Sequence, residues 1–108
     1  MPTYEDALDY LGIDYADAVV QRNVTRAMAT ARKTLQGAVG KDVEKHLPDD
    51  ERVKELVLIY TDDLYSERGV AQKVSGATRK LVATMELQLQ MEYRKAVNAA
   101  AAEEAVLA

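Results

Sequence analysis

Residues 51–68 read ERVKELVLIYTDDLYSER, and this stretch decides the fold. Its apolar side chains recur at steps of three and four residues, which places them on one face of an α-helix. That face comprises Val53, Leu56, Val57, Tyr60 and Leu64, and it is widened by Leu58, Ile59 and Tyr65. A helix with so broad an apolar surface is contacted from several sides. The pattern therefore predicts a central helix over residues 51–68, which ends at Gly69.

A short helix is predicted near the N-terminus. Thr3 is followed three residues later by Asp6, which is a variant of the capping box that opens many helices. Gly12 stands where a glycine commonly ends a helix. The apolar positions between these two signals are Ala7, Leu8 and Leu11.

A second, long helix is predicted to start after Asp14 and to run to about Val39. Small and aliphatic side chains recur there at helical steps, namely Ala16, Val20, Val24, Ala27, Met28, Ala31, Leu35 and Ala38. The following residues 41–50, KDVEKHLPDD, mix charge with a proline and are predicted to be a connector. Asp49 or Asp50 is expected to cap the central helix.

A fourth helix is predicted to start near Thr78, after a connector over residues 70–77. Its apolar positions circle the axis, so it needs more than one partner, and one small domain covers only part of it. We therefore expect this helix and its connector to form the contact with other subunits and partners. The residues predicted for that interface are Leu81, Met85, Leu89, Met91 and Tyr93.

These elements predict an all-α fold, a small bundle of about four helices, because no stretch shows the alternation of a strand. At 108 residues the chain has room for one core. A single helical domain is expected over residues 1–97. Residues 98–108 are rich in alanine, and three outcomes stay open for them: an extension of the helix, a frayed end, or a segment that orders only on assembly.

The composition limits the classes of function. The chain has no cysteine, which excludes disulfides, thiolate metal sites and a cysteine nucleophile. Its net charge is −4, and residues 1–20 carry five acids and no base. This distribution of charge argues against a surface dedicated to binding nucleic acid. The N-terminus does not resemble a signal peptide and no apolar run is long enough to span a bilayer, so no membrane association is expected and the cytosol is the expected site of synthesis.

No catalytic, cofactor-binding or metal-binding residue is predicted, and the chain is not expected to be an enzyme. His46 is the only histidine and stands in a polar connector, so an ordinary surface histidine is the favoured interpretation. Asp62, Asp63 and Glu67 suggest paired carboxylates, but neighbouring helix residues point about 100° apart and do not converge. A solvated helix face is therefore favoured for these acids.

The bases of the second helix allow two interpretations. Arg22, Arg26, Arg32 and Lys33 form either a stripe that contacts nucleic acid or a solvated face that balances the acidic first helix. The solvated face is favoured.

Four segments of the chain, in their order, resemble the small head–tail connector proteins, also called adaptor or head-completion proteins, of tailed bacteriophages and prophages. The segments are YEDALDYLGID at residues 4–14, TARKTLQGAVGKDV at 30–43, DERVKELVLIYTDDLYSERG at 50–69 and SGATRKLVATMELQLQMEYRK at 75–95. The third is the most characteristic. The last is similar to the family's closing helix through Gln88, Leu89 and Glu92.

The resemblance implies an all-helical structural protein of the virion neck. Copies of the chain are then expected to form a closed ring, for which a dodecamer is one size that the family suggests. The ring would join the portal protein of the capsid to tail or head-completion proteins, and DNA would pass through its lumen without specific binding. The alternative from a different class is a small helical DNA-associated or regulatory protein.

Overall fold

The computed structural model describes residues 1–66 and 76–107, and within them the protein is all-helical with no strand. The all-α prediction is therefore confirmed. The five helices are α1 (Tyr4–Leu11), α2 (Ala18–Ala38), α3 (Val43–His46), α4 (Glu51–Ser66) and α5 (Gly76–Leu107). The predicted end of the central helix at Gly69, and most of the predicted connector over residues 70–77, lie outside the described residues.

Helix α1 is closed at both ends by the interactions that its sequence predicts. The Thr3 hydroxyl accepts a hydrogen bond from the Asp6 backbone N–H at 3.1 Å, and the Asp6 carboxylate accepts one from the Thr3 N–H at 2.9 Å. Gly12 follows the helix with a φ of 72°, in the left-handed region that a glycine adopts without strain. Both predicted ends of α1 are confirmed.

Helix α2 starts later than predicted, at Ala18 instead of directly after Asp14. The reason is its cap: an Asp17 carboxylate oxygen accepts a hydrogen bond from the Val20 backbone N–H at 2.9 Å. The helix ends at Ala38 and Val39 caps it, close to the predicted end.

The predicted connector before the central helix contains one helical turn, α3. Helix α4 then begins with Asp50 at its N-terminus, where the carboxylate accepts a hydrogen bond from the Arg52 backbone N–H at 2.9 Å. The Asp50 carbonyl accepts a second one from the Val53 N–H at 3.1 Å. Of the two candidates for this cap, Asp50 is the residue that makes the contacts.

The core lies on two sides of α4, which confirms that this helix is central. The most extensive packing is between α2 and α4. The larger cluster joins α2, α3, α4 and α5 through Ala31, Leu35, Val39, Val43, Val53, Leu56, Val57, Ile59, Met85 and Leu89. The smaller cluster joins α1 and α2 to α4 through Ala7, Val24, Met28 and Leu58. Burial of these side chains is the main contribution to stability.

Helix α5 determines the long dimension of the molecule. Its 32 residues span about 48 Å at the rise of an α-helix, close to the longest extent of 52 Å. The radius of gyration is 16.0 Å, whereas a radius of about 13 Å is expected for a compact chain of this length. The alanine-rich C-terminal residues continue this helix as far as Leu107, which is the first of the three predicted outcomes. Within the described residues, no helix combines the length and apolar character needed to cross a bilayer.

Candidate interaction surface on the C-terminal helix

The five residues predicted for an interface lie on different sides of α5. Met85 and Leu89 belong to the core, where their exposed fractions are 8% and 0%. Tyr93 is partly buried against the same cluster. These three residues are spaced by four, so they share one face of the helix. Leu81 and Met91 remain exposed, at 54% and 65%, and the candidate surface therefore lies away from the face that contains Leu89.

Polar contacts to α4 accompany this core packing and mark the side of α5 that faces α4. The Arg52 guanidinium donates a hydrogen bond to the Gln88 side chain at 3.3 Å and forms an ion pair with Glu92. About two turns further along α4 from Arg52, the Tyr60 hydroxyl donates a hydrogen bond to the Glu86 carboxylate. Burial, together with this carboxylate, raises the pKa of Tyr60 well above its usual range. Glu86 and Glu92 thus extend toward α4, where Glu86 is partly buried and Glu92 is still exposed.

The Arg52 side chain is itself held by the cap of α4. Its guanidinium donates to both carboxylate oxygens of Asp50, at 3.0 and 2.8 Å. These hydrogen bonds are the main reason why the pKa of Asp50 lies below its usual range. Asp50 therefore caps α4 and also orients the arginine that binds α5.

Tyr93 attaches α5 to the corner between α2 and α3. Its hydroxyl accepts a hydrogen bond from the Asp42 backbone N–H at 3.2 Å, and its ring meets His46 edge to face with 5.6 Å between centroids. Gly40 permits this approach, since a Cβ atom there would lie 2.1 Å from the tyrosine ring. Nearby, the Gln90 amide donates to the Ala38 carbonyl at 2.7 Å. His46 is partly buried and packs on Tyr93, where a surface histidine was predicted.

The side of α5 that faces away from the core is apolar at its centre and basic around it. Leu87 and Met91 are 58% and 65% exposed and stand one turn apart. Arg94 and Lys95 follow one turn later on the same side and are exposed. We call these four residues the outward face. At about 100° per residue, the four acids of α5 fall on other sides of the helix: Glu86, Glu92, Glu103 and Glu104.

Leu87, Arg94 and Lys95 were not among the interface residues predicted from the sequence. The signal for them is the spacing of Leu87 and Met91, four residues apart, with two bases three and four residues further on. That signal becomes specific only after the core side of α5 is known.

A second feature of the surface is the basic side of α2. Arg22, Arg26 and Lys33 are exposed and their spacings of four and seven residues align them on one stripe opposite the core. Arg32 lies about 100° from Lys33 around the axis. Helix α2 contains no acidic residue. Its solvent side therefore carries positive charge that no acid of the same helix offsets.

The described residues contain no group of three or more histidine or acidic side chains arranged to hold a metal ion. Asp62 and Asp63 lie on α4, one partly buried and the other exposed. Glu67, the third of the acids for which the sequence favours a solvated helix face, lies outside the described residues.

Comparison of the chain with models of protein families, with curated proteins and with solved structures gives no match.

Proposed function

We propose that this protein is a structural subunit of the head–tail connector of a tailed bacteriophage, the function that the sequence resemblance implies. The single structural observation that supports it most is the outward face of α5. Leu87 and Met91 contribute little to the core of their own chain, as their exposed fractions of 58% and 65% indicate. Apolar side chains that stand together on an exposed helix favour a contact with another protein.

The projecting part of α5 supports the same function. The exposed residues 101–106 extend the helix beyond Tyr93, the last side chain that packs on the core cluster. A helix of this kind offers contact area to neighbouring molecules without disturbing its own core. A closed ring also requires two different faces on each subunit, because its contacts run head to tail.

The partners of such a subunit are its own copies, the portal protein, and tail or head-completion proteins. Its place is the junction of capsid and tail in the virion, and it is made in the cytoplasm of the bacterial host. The net charge of −4 suits a channel through which DNA slides, on the condition that the basic side of α2 faces away from the lumen, because clustered bases there would bind the phosphates and slow its passage.

Electron microscopy of the purified protein, alone and after mixing with the cognate portal protein, tests this function. The expected result is rings with a central hole, seated on the portal in the mixed sample. Particles without a hole in both samples would contradict a connector.

The basic side of α2 favours a second candidate function, a small DNA-associated or regulatory protein. Arg22, Arg26 and Lys33 would then contact phosphates along one side of the helix. This function predicts DNA binding that weakens steeply with salt and that is lost when the two arginines are replaced by alanine. A gel-shift titration at two salt concentrations separates it from the connector, for which no specific affinity for DNA is expected.

A further inference from the structure

An acidic patch lies where α1 meets α4. Glu51 and Glu55 stand one turn apart on α4 and are exposed, and Asp62 follows seven residues later on the same side. Tyr10 of α1 is 42% exposed and stands one turn after Asp6, which pairs with Lys54 of α4 at 3.5 Å. Partial burial and the negative charges of Glu55, Asp62 and Asp63 raise the pKa of the Tyr10 phenol. We call Tyr10, Glu51 and Glu55 the acidic patch.

The bases of α4 do not neutralise this patch. Arg52 is engaged by Asp50 and Glu92, and Lys54 pairs with Asp6 of α1 at 3.5 Å. Both bases of α4 within the described residues therefore already have partners within the chain, while Glu51 and Glu55 are exposed to solvent.

The outward face of α5 has the opposite charge. Arg94 and Lys95 are exposed, the described structure shows neither in an ion pair, and the acids Glu86 and Glu92 of the same helix face α4. Leu87 and Met91 form its apolar centre, and Tyr10 supplies an aromatic ring on the acidic patch. Methionine packs favourably on aromatic rings. The two surfaces are therefore complementary both in charge and in their apolar side chains.

The two surfaces do not meet within one molecule. Tyr60 and Arg52 mark the side of α4 that contacts α5. Glu55 lies about 60° from Arg52 and about 140° from Tyr60 around the α4 axis, so the acidic patch turns away from α5. The outward face, for its part, is opposite the side on which α5 contacts α4. A contact between them must therefore join two molecules. Two molecules joined in this way still have one unused outward face and one unused acidic patch.

We propose that the outward face of α5 in one copy binds the acidic patch of the next copy. This inference rests on the proposed function, since it names the contact that would join neighbouring subunits of the ring. Arg94 and Lys95 lie against Glu51 and Glu55, while Leu87 and Met91 cover Tyr10. Because each copy contributes one surface of each kind, the contact repeats from subunit to subunit and closes where the rotation permits.

Reciprocal charge reversal tests the contact. One variant carries R94E and K95E, and a second carries E51K and E55K. Each variant alone sets like charges against each other, so we expect on the order of tenfold or greater loss of self-association, measured by light scattering over a concentration series. An equal mixture of the two restores opposite charges at every contact, and we expect association near the wild-type level. Circular dichroism checks that each variant is folded.

A matched control reverses two acids away from the patch, as E103K and E104K, and should associate like wild type. Added salt is expected to weaken wild-type association. Self-association of the E51K/E55K variant at the wild-type level would overturn the proposal, since it would indicate that α5 binds a second α5 or another surface. Failure of the mixture to associate would overturn it as well.

The outcomes also separate this contact from the proposed function. Rings that persist in both charge-reversal variants would overturn the contact and leave the connector function standing. Reciprocal rescue with open chains in place of rings would support the contact and contradict a connector. A wild-type protein that stays monomeric at every concentration, with and without the portal, would overturn both.

Discussion

Leu89 and Met91 are two residues apart on α5, and the structure predicts opposite consequences when each is shortened to alanine. Leu89 is fully buried in the larger core cluster. Its replacement leaves a cavity, and a buried leucine shortened to alanine costs roughly 2–5 kcal/mol in the free energy of unfolding. For a domain of this size we expect the melting temperature to fall by about 10 °C or more.

Met91 is 65% exposed, so only about a third of its side chain is withdrawn from water on folding. Full burial of such a side chain stabilises by about 1.5–3 kcal/mol, and the M91A variant should therefore lose about 1 kcal/mol at most. The better helix propensity of alanine offsets part of that loss.

Thermal unfolding of both variants and wild type, followed by circular dichroism at a concentration where the protein is monomeric, measures the difference. We expect L89A to melt well below wild type and M91A to melt near it. Equal melting temperatures for the two variants, or a larger fall for M91A, would refute the placement of α5 described above.

Three further predictions concern the contacts that hold α5 and its projecting end. G40A should destabilise the fold by about 1–3 kcal/mol in urea unfolding because its Cβ would meet the Tyr93 ring at 2.1 Å, and most of that cost should vanish in a Tyr93→Ala background. Since the pKa of Asp50 is lowered in the folded state, its contribution is present above about pH 4 and lost as the pH falls further; D50N should flatten this acid limb of the stability profile. Truncation after Ala100 should change the free energy of unfolding by less than about 0.5 kcal/mol, since residues 101–106 are all exposed, and a fall of several degrees in melting temperature would contradict it.

The features that the sequence predicts best are those with local causes. The ends of α1 depend on Thr3, Asp6 and Gly12, which interact within a few residues of each other, so the pattern alone locates them. The central position of α4 is also visible, because its apolar side chains occupy several sides of one helix. The start of α2 is less certain from the pattern, since Asp14 and Asp17 are both good caps and only Asp17 reaches the Val20 N–H.

The interface depends on long-range contacts and could be predicted only in part. The apolar positions of α5 circle its axis, and the pattern contains no information on which of them faces α4. That choice is made by the burial of Met85 and Leu89 against side chains far away in the chain, and the pairs of Tyr60 with Glu86 and Arg52 with Glu92 add to it. They turn Leu89 inward and leave Leu87 and Met91 outside, although all three are apolar and close in sequence.

The central claim is that the outward face of α5 joins this protein to its own copies. Its most direct test is the mass of the assembled particle for wild type and for a variant with L87Q and M91Q, measured by light scattering. Glutamine keeps the size and helix propensity of these side chains and removes their apolar character. We predict a multimeric wild type and a monomeric variant, while T25Q, at an exposed position on α2, assembles normally. At a concentration where wild type is also monomeric, the double variant should remain folded and lose no more than about 2 kcal/mol in the free energy of unfolding, because both side chains are more than half exposed. A double variant that assembles to the same mass as wild type would contradict the claim.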